Sequence, residues 1–420
     1  VVAGALDAST VRRGILVVSP WLPWPADFGG ALRTYHLLRE LAHHHDVMLV
    51  APVRRNEVGA ALELGSQFDV TAVPSAWTAR SAPGARKRAG QLRSLVSRAS
   101  YMELMTRDAR FQAVVDRLFL TRTIDVIQYE FPQMALFHPP RHCPTVIDAH
   151  NVEHELLERV ARSSASVAQR VFNMVESRKV RHLEERLWRS ATLAVATTSR
   201  DAAVIQSATG KPVPVVPNGV AFDAYRTARQ ASPLPGKVVF IGAMRHQPNA
   251  VGARWYVEHV HPLVTAAIPR ATVTIVGPDP PASVRRLARG NVKVTGRVES
   301  VTPYLSDAAV VVVPLLSGGG SRLKILEAFA AGRPVVSTTL GAEGLAGDEV
   351  SCVTIADDPR AFAEAVIDAL RGKTSREPIE RALALARERY DWPRVAMRLV
   401  EAHDEAFARF AGRRDAHAKG

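Results

Sequence analysis

The chain has 420 residues, 47% hydrophobic and 23% charged, a globular composition that excludes a disordered chain and exceeds one ordinary core. Its 54 basic against 41 acidic residues leave a net charge of +13, which favours anionic partners without choosing among nucleotide, lipid and nucleic acid. No apolar run approaches the ~20 residues that span a bilayer, and the longest, residues 308–316, contains Pro314.

Residues 15–18 form the first β-branched run. Too little apolar sequence follows Arg12 and Arg13 for a secretory leader, and Cys143 and Cys352 fit no metal or redox spacing. A cytoplasmic location is therefore expected, peripheral at the inner face of a membrane if the basic stretch described below meets lipid. Gly29 and Gly30 open a helix whose apolar face reads Ala31, Tyr35, Leu38 and Ala42. His43, His44 and His45 end it, where imidazoles suit the helix dipole, and no metal is expected there. Further runs at 47–50, 124–128, 145–147, 193–196 and 213–216 read as strands. Two long helical stretches, 85–120 and 152–189, interrupt the alternation. Arg80, Arg86, Lys87, Arg88, Arg93 and Arg98 carry no acid between them, which reads as a solvated surface or as a patch for anionic lipid. Aromatics are scarce and no nucleic-acid motif occurs, so no nucleic acid partner is expected. His150 follows the run 145–147 at its carboxyl end, where a cleft belongs, with Asp148, Asn151 and Glu153 around it.

Pro217-Asn218-Gly219-Val220 is a strong turn signal, and the polar stretch 226–235 has no clear period. The series of runs then restarts at 238–241, 273–276, 292–295, 310–313, 335–337 and 353–355. Near-continuous apolar strands between helices predict parallel sheets covered on both faces. The expected fold is α/β, with two Rossmann-like units (1–217 and 236–390), a linker (218–235) and a final helix (391–411) that returns to the first unit. The last residues, from Gly412, are expected to fray.

Residues 308–345 carry the chemistry. A buried strand runs into Gly318-Gly319-Gly320, and a helix follows from Ser321 to Ala331. A helix start is electropositive and has unpaired N–H groups, so Arg322 and Lys324 there are unfavourable by about several tenths of a kcal/mol each. A diphosphate at this helix start would satisfy the N–H groups and both cations together. Glu327, three residues beyond Lys324, lies on the same helix face and could accept hydrogen bonds from ribose hydroxyls.

The run SGGGSRLKILEAFAAGRPVVSTTLGAEGL resembles the donor-site signature of glycosyltransferase family 4, the retaining enzymes of the GT-B fold. FGGALRTYHLLRELA, VIDAHNVEHELL, VVPNGV, VVFIGAMRHQPN and NVKVTGRVESVTPYLSDAAVVVVPL resemble other parts of the same family across most of the chain. The resemblance implies two Rossmann-like domains facing a central cleft, the first for an acceptor and the second for a sugar nucleotide. Glu327 matches the second glutamate of the family's pair, which holds the donor ribose. Gly319 stands where the first would be, as in a GxxRLKxLEA branch. Arg245 is near the place of the family's basic pair; its lysine falls at Pro248 or Asn249, and Arg322 and Lys324 are expected to supply the charge. The resemblance further places the donor against Gly29, Gly30, Gly319, Gly320, Ser321 and Gly341, and the base against the backbone of Arg297 and Val298. It makes His150 an active-site residue beside Lys324 and Glu327.

The implied reaction moves a sugar with retention to a hydroxyl acceptor, a glycolipid or cell-envelope polysaccharide. No Asp-x-Asp motif is present to hold a metal, and neither metal nor other cofactor is expected. A nucleotide-sugar epimerase, a catalytically silent sugar-nucleotide-binding subunit and a basic nucleic-acid-binding protein are the rivals.

Overall fold

The computed structural model describes residues 11–75, 84–163, 166–317, 323–345 and 347–418. Six strands build the first sheet: β1 (Gly14–Val18), β2 (Asp46–Val53), β3 (Asp69–Pro74), β4 (Val126–Glu130), β5 (Thr145–Ala149) and β6 (Leu193–Ala196). Six more build the second: β7 (Lys237–Ile241), β8 (Thr272–Val276), β9 (Val292–Val294), β10 (Val310–Val313), β11 (Val335–Ser337) and β12 (Val353–Ile355). The orders are β3-β2-β1-β4-β5-β6 and β12-β11-β10-β7-β8-β9, which is one doubly wound topology used twice. Paired strands are parallel throughout, in registers such as Leu16↔Met48 and Val311↔Val335.

Side chains on a strand alternate between faces. Ile15 and Val17 of β1 therefore enter one hydrophobic cluster, and Leu16 and Val18 enter another on the opposite face. The second sheet has its own core around Val239, Phe240, Val311 and Phe329. The strand order reverses between β1 and β4 and again between β7 and β10. Chain leaving the carboxyl ends at those points diverges and opens a crevice, which is where ligands of open α/β sheets bind. The fold is GT-B, as expected.

Several local expectations are corrected. β3 was not foreseen, because only Val73 of this edge strand is fully buried and Asp69, Thr71 and Ala72 give no apolar run. Residues 213–216 form no strand; Val215 makes one isolated bridge to Ala196, since Pro214 and Pro217 remove ladder donors. β4 begins two residues later than read, because the Asp125 carboxylate accepts from Gly14 N at 2.8 Å, and it ends on Glu130. The stretch 85–120 is three helices. Ser100 caps the second by accepting from Glu103 N, and Asp108 caps the third by accepting from Arg110 N and Phe111 N. The stretch 152–189 is likewise two helices, Glu153–Ser163 and Val167–Ser190. The aperiodic stretch after Gly219 holds a short helix, Arg226–Gln230, with Tyr225 and Ala228 in the second core.

The final helix, Trp392–Ala418, runs past the expected point of fraying. Its Trp392, Val395, Ala396, Leu399, Val400 and Ala406 recur every three to four residues and pack into the first unit's core. Where it leaves the second unit, Val220 N donates to Tyr390 O at 2.7 Å. A Cβ on the adjoining Gly219 would lie 2.6 Å from the Trp392 ring, so only glycine fits this crossing.

Candidate active site

On the first unit, the helix Gly29–Leu41 follows the loop after β1. A Cβ on Gly30 would come within 2.9 Å of the Trp21 ring, and one on Gly29 within 3.2 Å of Leu323 in the second unit. Gly29 therefore faces the start of the helix Leu323–Ala330 across the cleft. One turn on, the fully buried Arg33 grips Asp148 with two bonds, Nε to Oδ2 at 2.9 Å and Nη2 to Oδ1 at 3.0 Å. Its Nη1 donates to Pro217 O at 2.7 Å and to Asn218 Oδ1 at 3.2 Å, which ties the crossing segment to the cleft floor. Burial raises the Asp148 carboxyl, and the Arg33 charge opposes that shift.

His150 lies just past β5, 6% exposed, with its Nε2 2.7 Å from Glu130 Oε2 and its ring 4.1 Å from the Phe131 ring. Thr34 Oγ1 also donates to Glu130 Oε2, at 2.9 Å. Burial acts to raise the Glu130 carboxyl, but the hydrogen bond from His150 and the neighbouring Arg33 charge help to outweigh it, so the net shift is downward. Glu130, Asp148 and His150 bring three ligand atoms within 4.8 Å of one another, the only such group among the described residues. The chemistry of the set disfavours a cation. Asp148 is spent on the Arg33 guanidinium, which would repel a metal, and Glu130 is spent on its three donors. His43 is exposed while His45 is buried, so the triple histidine does not converge.

On the second unit, β10 leads through residues 318–322 into the helix Leu323–Ala330. Gly319, Gly320, Ser321 and Arg322 lie outside the described residues. Lys324 Nζ donates to Asn249 Oδ1 at 2.6 Å, at the carboxyl end of β7, and lies 5.2 Å from the Phe240 ring. Glu327 Oε1 accepts from the Tyr225 hydroxyl at 3.1 Å. Burial pushes its carboxyl up to about 7, against the Tyr225 bond and the Lys324 charge.

Arg245 and Arg297 both reach the same anion. Asp27, in the loop after β1, accepts from Arg297 Nη2 at 2.7 Å and lies 3.7 Å from Arg245 Nη2, while Arg245 Nη1 also bonds Asp279 at 3.0 Å. Val298 packs against the second core. A Cβ on Gly341 would lie 2.4 Å from Val313 O and 2.3 Å from Ser337 Oγ, so packing against the strand ends already requires glycine there. Next to it, Glu343 accepts from Arg159 Nη1 of the first unit at 2.6 Å. This pair closes one side of a recess of about 400 Å³, its mouth included, lined by Asn151, Glu155, Arg159, Arg200 and Glu343. Glu153 beside it is pushed up to about 7 by burial and by Glu184.

Four participants escaped the sequence reading. Glu130 lies two residues beyond the run 124–128 that reads as a strand, and the sequence gives it no role. Arg33, Asp27 and Tyr225 occupy positions whose importance depends on partners over one hundred residues away in sequence or across the cleft. Arg33, an arginine one turn into a helix behind a glycine pair, was the one with a local signal. Of the basic stretch, Arg80 and the Arg86 side chain lie outside the described residues; Lys87, Arg88, Arg93 and Arg98 are exposed, as are Leu92, Leu95 and Val96. No described helix is long and apolar enough to cross a membrane.

Two doubly wound domains with the candidate residues at the carboxyl ends of both sheets define the GT-B class. Residues 235–372 match the protein family described as Glycosyl transferases group 1. Over 207 residues, 47% of the chain, the sequence is 30% identical to the phosphatidyl-myo-inositol mannosyltransferase of Mycobacterium leprae. That stretch covers 54% of the relative, so the chain spans about half the length of the protein it matches. Sucrose-phosphate synthase from Thermosynechococcus elongatus shares the fold with a TM-score of 0.68 over 94% of this chain and 100% of its own, at 16% identity. An Anabaena protein solved in complex with UDP does so with a TM-score of 0.62 over 93% and 99%, at 13% identity.

Proposed function

We propose that this chain is a glycosyltransferase that moves a sugar from a nucleoside-diphosphate sugar to a hydroxyl acceptor. The observation that carries the reading is the helix Leu323–Ala330. It starts at the switch point between β10 and β7, with Lys324 at its first turn and Glu327 on the same face, within the segment that matches the group 1 family. A diphosphate there meets the helix dipole and Lys324, with Arg245 and Arg322 as further cations. Negative charge develops on that diphosphate as the sugar leaves, and fixed cations can stabilise it without a metal. Glu327 receives the ribose hydroxyls. His150, across the cleft, faces the acceptor. Retention at the anomeric carbon follows from the resemblance to family 4. A glycolipid or envelope-polysaccharide acceptor at the inner face of a membrane agrees with the exposed basic and apolar residues 87–98 and with the mannosyltransferase relative.

The test is a titration of UDP-, GDP- and ADP-sugars against the wild type and Lys324→Ala. Loss of a phosphate contact of this kind is expected to cost about 1.5–3 kcal/mol, roughly ten- to a hundredfold in affinity for the preferred nucleotide. Equal affinities would remove Lys324 from the donor site. Donor turnover without an acceptor would favour the epimerase, and tight binding with no nucleotide release on any acceptor would favour a silent subunit.

A further inference from the structure

The hydrogen bonds around Glu130 all run one way. An ionised carboxylate can only accept. Glu130 Oε2 accepts from Thr34 Oγ1 at 2.9 Å and faces His150 Nε2 at 2.7 Å; Oε1 accepts from Gln128 Nε2 at 2.5 Å. With its amide nitrogen committed, Gln128 turns its oxygen to His403 Nε2 at 2.7 Å, in the middle of the final helix. Gln128 and Glu130 are two residues apart on β4 and share a face of the sheet. Thr34, Gln128, Glu130, His150 and His403 are all buried. Both histidines must therefore carry a proton on Nε2, and among the described residues nothing hydrogen-bonds Nδ1 of His150.

The backbone beside Glu130 is also held in an unusual state. Phe131 has φ 72° and ψ 145°, a region that bulky residues rarely enter and that costs about 1–3 kcal/mol. Its amide donates to Asp148 O at 3.0 Å, and this geometry sets its ring against His150 on one side and Trp21, at 4.9 Å, on the other. Thr197 Oγ1 fixes the His150 carbonyl from β6's end at 3.1 Å. Ring, backbone and tautomer of His150 are thus each pinned by a different element.

We propose that Glu130 is the positioning residue of the acceptor side: it holds His150 as the Nε2–H tautomer and so presents Nδ1 to the cleft as a hydrogen-bond acceptor for the substrate hydroxyl. This role deepens the transferase reading and rests on it, but the geometry it requires exists without any reaction. Thr34 and Gln128 complete the carboxylate's shell, and His403 links that shell to the seat of the final helix.

The experiment is ¹⁵N NMR of protein labelled at histidine, with the His150 ring signals assigned as those missing in His150→Gln. The wild type is expected to show Nε2–H at His150 in the absence of ligand; Nδ1–H in the wild type overturns the proposal even if no variant folds. In Glu130→Gln the amide must donate on one side, so His150 is expected to shift towards Nδ1–H. Transfer should fall at least about tenfold in kcat while donor affinity holds, and Glu130→Asp should recover part of the loss. An unchanged tautomer and unchanged kcat in a folded Glu130→Gln would also overturn it. Because the NMR readout needs no turnover, a chain with no transferase activity but the stated tautomer would refute the function and leave the positioning intact.

Discussion

Glu327 carries opposing demands. Its carboxyl is partly buried, and its position above the usual range means that the folded chain keeps a proton that the unfolded chain has released. Stability contributed by the neutral form is therefore present below pH 4.5 and is lost as pH rises through about 7. A shift of this size corresponds to at most about 3 kcal/mol. Glu327→Gln keeps the shape and removes the charge. The variant is expected to unfold at higher urea than the wild type at pH 8, with the gap closing towards pH 5, while its affinity for a nucleoside diphosphate falls at pH 8. A constant gap across that range would mean that Glu327 stays ionised in the fold. In the proposed function the same residue would trade stability for a carboxylate available to ribose hydroxyls. Nothing local in LKILEAFA announces the trade; it comes from burial in the assembled fold, which the Tyr225 hydroxyl, brought from the crossing segment, offsets only in part.

At the scale of elements, the final helix does more than end the chain. Trp392 is buried and stacks on His36 of the helix Gly29–Leu41, ring centroids 5.0 Å apart and ring planes nearly parallel. Trp392→Ala is expected to lower the urea midpoint by an amount equivalent to about 3–5 kcal/mol. Phe407→Ala, 38% exposed on the same helix, should cost far less. Similar losses for both would mean that the helix is not seated on the first unit in solution. The elements whose burial is two-sided were legible in the sequence: β7, β8, β10 and β11 are plain valine- and isoleucine-rich runs. Those that were missed or misplaced are edge or cap features. β3 is half-exposed, and the breaks in the stretch 85–120 are made by single capping side chains, Ser100 and Asp108, inside otherwise helical composition.

For the whole molecule, the cleft is spanned by ion pairs with few buried members. Asp27 meets Arg297 and Arg245 at one end, and Arg159 meets Glu343 at the other. Exposed pairs contribute roughly 0–1 kcal/mol each and weaken with salt. Opening is therefore expected to be cheap and ionic. Small-angle scattering of the ligand-free protein should show the radius of gyration rising between about 0.05 M and about 0.5 M salt. Asp27→Asn should be expanded already at low salt. A radius independent of both would place the closing force in apolar contact, such as Leu323 against the first unit's core. The anions at these arginines also occupy the charge that a bound diphosphate would seek, so nucleotide binding should reorganise this end of the cleft.

The sequence by itself determined two parallel α/β units, their order and the glycine-rich segment that leads to Lys324 and Glu327, because apolar periodicity, turn residues and an out-of-place cation near a helix start are local signals. Only the tertiary structure decided that Arg33 locks Asp148, that Glu130 aims His150, and that Asp27 and Glu343 clasp arginines across the cleft. Those are pairings between residues distant in the chain. Their energies come from desolvation and from the direction of single protons, and neither exists until the sheets have placed the partners together.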